Sequence, residues 1–284
     1  MGLSEADAYC RRLLRGHYEN FWVSSPMVPR RLRPDMARIY AYCRTVDDLG
    51  DESAGPEDAE ARLGVWRQDV ELMLRGGTPA HPVLIALAET VRARALPAAP
   101  FLDLIEANLR DQRVTRYENW PALEDYCMHS AAPVGRLVLH VFGQARPALI
   151  EASDDVCNGL QLANFAQDVA VDRRKGRTYL LQSDIAEHGV RGAVRAMCER
   201  AAALLRSGHR LEAAVDSRRL RVQLALYRRG GEAILHAIER AGYRTDEVRP
   251  TVPMTAKVAL LGGALAARRR MHEADAPARE RSYG

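Results

Sequence analysis

The stretch "DMARIYAYCRTVDDLGD" (residues 35–51) carries apolar residues at helical spacing and ends in a crowd of acids. Read as one helix beginning near Pro34, it sets Tyr40, Arg44, Asp47 and Asp51 on one face at steps of 4, 3 and 4, with Asp48 beside them. Together with Glu52, four carboxylates fall within six positions. Like charges at i,i+4 cost a helix about 0.2–0.5 kcal/mol, and anions at its C-terminus also oppose the macrodipole. On a partly buried face, two carboxylates roughly 5–6 Å apart repel by roughly 3 kcal/mol at an effective dielectric of about 20, unless they are protonated or meet a cation.

A second stretch, "QLANFAQDVAVD" (161–172), repeats the arrangement. Gln161, Asn164, Asp168 and Asp172 follow one another at steps of 3, 4 and 4, and "RRKGRTY" (173–179) comes next with four basic residues and a tyrosine. Apolar residues flank both acidic stripes: Ile39, Tyr42, Val46 and Leu49 on the first, Leu162, Phe165, Ala166 and Val169 on the second. Two such helices facing each other would present oxygen ligands suited to a hard divalent cation, Mg²⁺ where phosphate oxygens complete the shell. Arg44, Lys175 and Arg177 could then clamp a diphosphate, with metal taking up the charge of the leaving group. Taken singly, each stripe also fits a solvated surface face, and spacing alone leaves both readings open.

Outside these stretches the 3.6-residue period persists in nearly every segment between Pro and Gly breaks, and strand-like alternation is almost absent. Helices are expected at about 4–15, 35–51, 56–75, 82–95, 100–112, 121–142, 146–172, 190–227, 229–241 and 254–271. This predicts an all-α, antiparallel assembly in one domain over residues 1–274, with a flexible tail at 275–284. At 284 residues and 47% hydrophobic content the chain can build a substantial core. A net charge of +4 without a recognition motif argues against nucleic acid as partner. The five cysteines lack metal-ligand spacing and are expected to be reduced. The N-terminus has no apolar h-region, which predicts a cytoplasmic protein. The run "KVALLGGALAARRR" (257–270) reads first as a last core helix; its apolar body and basic end also suit peripheral contact with the inner face of the membrane.

Three ordered blocks resemble the squalene/phytoene synthase family of class I isoprenoid synthases: "HYENFWVSSPMVPRRLRPDMARIYAYCRTVDDLGDE" (17–52), "YCMHSAAPVGRLVLHVFG" (126–143) and "QLANFAQDVAVDRRKGRTYL" (161–180). The resemblance implies an isoprenoid synthase fold around a central cavity, three Mg²⁺ ions and a prenyl diphosphate substrate. By position it implies metal ligation by Asp47, Asp48, Asp51, Asn164, Asp168 and Asp172, and diphosphate binding by Tyr40, Arg44, Gln161, Lys175, Arg177 and Tyr179. Phe21, Ser130, Val134 and Gly135 would line the cavity, and Tyr126 would meet the carbocation or position a quenching water.

Two departures stand out. Carotenoid-forming members commonly carry Ser-x-Ser where this chain has Tyr18-Glu19-Asn20, and Arg where it has Gln167. Both changes remove groups that would help hold a diphosphate, which argues against condensation of two farnesyl diphosphates. The whole pattern is most similar to the hydroxysqualene-forming branch of the bacterial hopanoid route, which implies ionisation of presqualene diphosphate, capture by water, and no NADPH. Head-to-head condensation of farnesyl or geranylgeranyl diphosphate is the enzymatic alternative, and a non-catalytic assembly factor the other. Pathway enzymes are the partners implied. His17 and His129 are expected to be structural.

Overall fold

The computed structural model describes residues 1–16, 27–252 and 263. Phe21, His17, the 18–20 departure and the apolar run at 257–270 lie outside the described residues, apart from Gly263.

Helix α2 (Arg33–Asp51) starts where Pro34 supplies a preset φ and Asp35 an acid in the first turn. Around it stand α1 (Leu3–Gly16), α3 (Pro56–Leu74), α4 (Pro82–Arg94), α5 (Ala99–Arg110) and α7 (Ala132–Val141), all packed against α2. A buried ionic network fixes its first half. Arg38 forks onto Asp7 of α1 at 2.7 and 2.9 Å and donates to Thr90 of α4, which donates to Asp35, itself held by Arg94. One turn further, the Tyr42 hydroxyl donates to the Phe101 carbonyl at 2.7 Å, and its ring meets the Phe101 edge. The acidic end of α2 therefore projects from an anchored rod.

Helix α8 (Pro147–Gln167) is the second rod. It is packed by α7, α6 (Trp120–Ser130), α10 (Gln182–Leu205), α11 (Ser207–Ala214) and α12 (Arg218–Arg240). One continuous buried cluster, from Ala6 and Val28 to Leu235 and Ile238, joins both halves.

Four sequence expectations need correction. The helix expected at 121–142 divides at Ala131, because Pro133 begins a new helix. The segment 146–172 breaks at Asp168, whose φ of −101° and ψ of 16° end α8 before the six-residue α9 (Val169–Arg174). The segment expected as 190–227 is three helices, with breaks near Arg206 and at Val215–Ser217. No break occurs at Gly230–Gly231, since α12 runs through both. Gly231 serves close packing instead: a Cβ there would stand 2.7 Å from Leu160 Cδ2. Two short parallel strands, β1 (Arg116–Tyr117) and β2 (Thr178–Leu181), were also not expected.

After α12 the chain turns through Gly242 and Tyr243, both at positive φ, and lies back across the α8–α9 junction. The Thr245 carbonyl accepts from the Ala170 amide, Glu247 pairs with Arg191 at 2.7 Å, and the buried Gln167 amide donates to the Pro250 carbonyl at 2.7 Å.

Gly159 lets α8 approach α10 to within backbone contact: a Cβ there would lie 3.0 Å from Leu205 Cγ and 3.1 Å from the Ala201 carbonyl oxygen. Backbone cannot swing aside as a side-chain tip can. Gly159→Val is therefore expected to destabilise the fold by about 1–3 kcal/mol in urea unfolding.

Candidate active site at the facing ends of α2 and α8

The two acidic stretches meet through the turn that follows α9. Gly176 at φ +75° and the Arg177 amide bonded to the Asp172 carbonyl reverse the chain into β2. Lys175 and Arg177 are thereby turned toward α2, where Lys175 Nζ lies 3.0 Å from one Asp51 oxygen and Arg177 3.2 Å from the other. Asp48, Glu52 and Asp168 are paired too. Arg44 holds Asp48 at 2.6 Å, with Glu52 at 3.6 Å, and Arg249 forks onto Asp168. Arg44 thus uses its i,i+4 neighbour on its own helix, whereas Asp51 and Asp168 draw cations from distant segments.

Asp47 is the least compensated of the acids with a resolved shift. Asp47 is exposed to solvent, although protein atoms crowd the space around its carboxyl. Desolvation pushes its carboxyl up to about 7; Asp51 adds to the rise, and a hydrogen bond from Asn108 at 3.3 Å opposes it. Asn108 reaches this position because residue 50 is glycine: a Cβ there would stand 2.6 Å from Asn108 Oδ1. Asp172 is pushed up to about 6, first by burial and then by Asp168, against Lys175 and Arg177.

Asn164 is exposed, while Tyr40 and Gln161 are half-buried. Among the described residues no three acid, histidine or cysteine side chains stand together as a complete metal cage. The donor set still fits Mg²⁺, which takes one or two carboxylates and fills its shell with water and phosphate oxygens. Charge supports the same fit: cations already stand on Asp51 and Asp168, and Asp47 favours its proton.

Below the acids lies an aromatic layer. Phe165 and Tyr179 stack with centroids 3.8 Å apart at 7°, and Tyr126 and Tyr117 pack around them within 5.4–6.2 Å. The Tyr126 and Tyr179 hydroxyls both donate to Asp111, at 2.8 and 2.9 Å. Tyr179, expected at the diphosphate, thus has its hydroxyl on a carboxylate, with Arg177 alongside. Val134 is 36% exposed, the Ser130 hydroxyl is enclosed without a hydrogen-bond partner, and Gly135 faces α8, where a Cβ would lie 2.6 Å from Cys157 Sγ. His129 bonds the Asp125 carbonyl of its own helix, in keeping with a structural residue.

Three residues at this site escaped the sequence reading: Asn108, Asp111 and Arg249. The first two carried little signal, being two more polar residues at the end of a helix that also bears Asp103, Glu106 and Arg110. Arg249 carried none. It reaches Asp168 from the segment beside Gln167, which donates to the Pro250 carbonyl and accepts from Arg249 at 3.5 Å.

Comparison with known proteins agrees with this geometry. Residues 14–256 match the model of the family described as squalene/phytoene synthase. The chain is 31% identical over 268 residues to a hydroxysqualene synthase of Zymomonas mobilis, covering 88% of this chain and 89% of that one. It is 29% identical over 198 residues to a phytoene synthase of Arthrospira platensis, covering 64% of each. Among solved structures, the squalene synthase HpnC of Alicyclobacillus acidocaldarius superposes with a TM-score of 0.79 at 45% identity, covering 85% of this chain and 95% of that one. Facing acidic helices, cations that cross between them and a match over most of the length converge: the chain belongs to the squalene/phytoene synthase family.

Proposed function

We propose that the protein is a Mg²⁺-dependent hydroxysqualene synthase that ionises presqualene diphosphate, lets the cation rearrange and captures it with water. Family membership itself carries the coarser conclusion, an enzyme that processes prenyl diphosphates. The observation that carries the finer reading is the bridging of Asp51 by Lys175 and Arg177, which brings both acidic stretches to one place. Similarity to a hydroxysqualene synthase over nearly the full length supports the choice of reaction.

In this reading Asp47, Asp51, Asn164, Asp168 and Asp172 would hold the metal, with Asp48 in support. Bound Mg²⁺ supplies the Lewis acid that takes up charge on the leaving diphosphate. When substrate arrives, Lys175, Arg177 and Arg44 exchange carboxylate partners for phosphate oxygens, so that cations now neutralising the protein come to bind the leaving group. The faces of Tyr126, Phe165 and Tyr179 offer negative quadrupoles to the cation. Water ends the reaction, and no reductant is consumed. The phytoene synthase relative favours head-to-head condensation as the second reading.

Incubation of the protein and Mg²⁺ with presqualene diphosphate, farnesyl diphosphate or geranylgeranyl diphosphate, followed by mass spectrometry, separates the two. Hydroxysqualene from presqualene diphosphate alone is the expected result; consumption of farnesyl diphosphate by this protein alone would establish condensation instead. Asp168→Ala is expected to lower turnover of presqualene diphosphate by about a hundredfold or more.

Metal binding should also report the raised acids. Asp47 near 7 and Asp172 near 6 are protonated below those values, and a metal must displace their protons. Affinity for Mg²⁺ with pyrophosphate, measured by calorimetry, is expected to fall about tenfold from about pH 8 to about pH 6 after correction for pyrophosphate's own titration. Carboxylates of ordinary pKa would leave the corrected affinity flat over that range.

A further inference from the structure

Asp111 caps the C-terminus of α5 at the edge of the aromatic layer, and its side chain is only 13% exposed. One of its oxygens accepts from the Tyr126 hydroxyl at 2.8 Å and the other from the Tyr179 hydroxyl at 2.9 Å. Arg177 stands 3.9 Å from the first oxygen and also bears on the Tyr179 hydroxyl. A phenol has one hydrogen to donate and lone pairs to accept with. Here both hydrogens are committed to one carboxylate. Any further partner of either phenol must therefore be a donor, and a water that donates one hydrogen to a phenol keeps lone pairs free on its other side.

The geometry points to Asp111 as a positioning residue for the hydroxylic nucleophile: by fixing the hydrogens of Tyr126 and Tyr179 it makes them acceptors that hold a water with its lone pair toward the cation. This inference rests on the water-capture reading above. In the step, the substrate carbon–oxygen bond breaks and its electron pair leaves with diphosphate. The water lone pair forms the new carbon–oxygen bond, the hydrogen it loses passes to the Tyr126 oxygen, and the Tyr126 hydrogen passes to Asp111. Arg177 favours the carboxylate form of Asp111 before the step, while burial raises its affinity for a proton. Had both phenols been free to donate, the water would have accepted from them, with its hydrogens turned toward a carbocation that repels them.

The test is the partition of products, which separates positioning from general damage. Asp111→Asn keeps the shape but retains one acceptor oxygen and turns an N–H toward the other phenol. With presqualene diphosphate and Mg²⁺, Asp111→Asn and Tyr126→Phe are each expected to lower the ratio of hydroxysqualene to C30 hydrocarbon at least tenfold, as the uncaptured cation loses a proton instead. Tyr179→Phe should shift the ratio in the same direction by less. Unchanged ratios in Asp111→Asn and Tyr126→Phe, at whatever total turnover, would overturn the role of Asp111 and leave the functional reading intact. Wild-type protein that yields no alcohol from presqualene diphosphate would overturn both. If Asp111→Asn fails to fold, as judged by circular dichroism, the two tyrosine variants decide the outcome.

Discussion

Negative charge gathered at the ends of two helices has to be neutralised, and the long-range contacts near the site answer to that need. At the end of α2 the macrodipole adds to the repulsion among Asp47, Asp48 and Asp51. The molecule responds with cations from different parts of the chain: Arg44 from the same helix, Lys175 and Arg177 from the turn beyond α9, and Arg249 from the segment after α12. Each of these contacts is also a structural tie. The turn beyond α9 is drawn to α2, and the segment beyond α12 is drawn to the α8–α9 junction. Under the proposed function, an array balanced in this way would exchange partners with a metal diphosphate, which brings both positive and negative charge in one body.

Asp47 marks the limit of that compensation. Asn108 offers it a neutral amide rather than a cation, and the carboxyl is left near 7. Under the proposed function, a metal would charge such a group by displacing its proton, while a fully paired carboxylate would have to give up an ion pair first. The acids around the site therefore differ in readiness, although the sequence presents them as equivalent.

How far the sequence could be read depended on the range of the interaction concerned. The stripes from Tyr40 to Asp51 and from Gln161 to Asp172 are set by helical period, a local property, and both were legible together with the all-α class. Asp168 was read as a helical position, yet it sits at a break, because the strap of residues 242–250 supports non-helical backbone there with the Thr245 carbonyl and Arg249. Gly230–Gly231 was read as punctuation, although the cause of a glycine there lies on α8 and α10 in Leu160 and Leu205. Asp111 gains meaning from partners 15 and 68 residues away, and Arg249 from one 81 away. No periodicity announces such pairs. The replacement at 167 looked like a loss in the sequence, and in the fold Gln167 anchors the strap from which Arg249 reaches Asp168.

The glycines around the middle of α8 bear on how such a protein can diversify. Gly159 admits the α10 backbone, Gly208 brings α11 against Val156, Gly231 admits Leu160 from α12, and Gly135 of α7 meets Ser153 and Cys157. Four neighbours thus approach one short length of helix closely, and none can gain bulk without displacing backbone or core. A change of bulk has to be made elsewhere, as in the aromatic layer of Tyr126, Phe165 and Tyr179, where ring packs on ring rather than on main chain. Variation within this architecture is in that way channelled to a few ring-bearing positions, while the rods that carry the charge stay where they are.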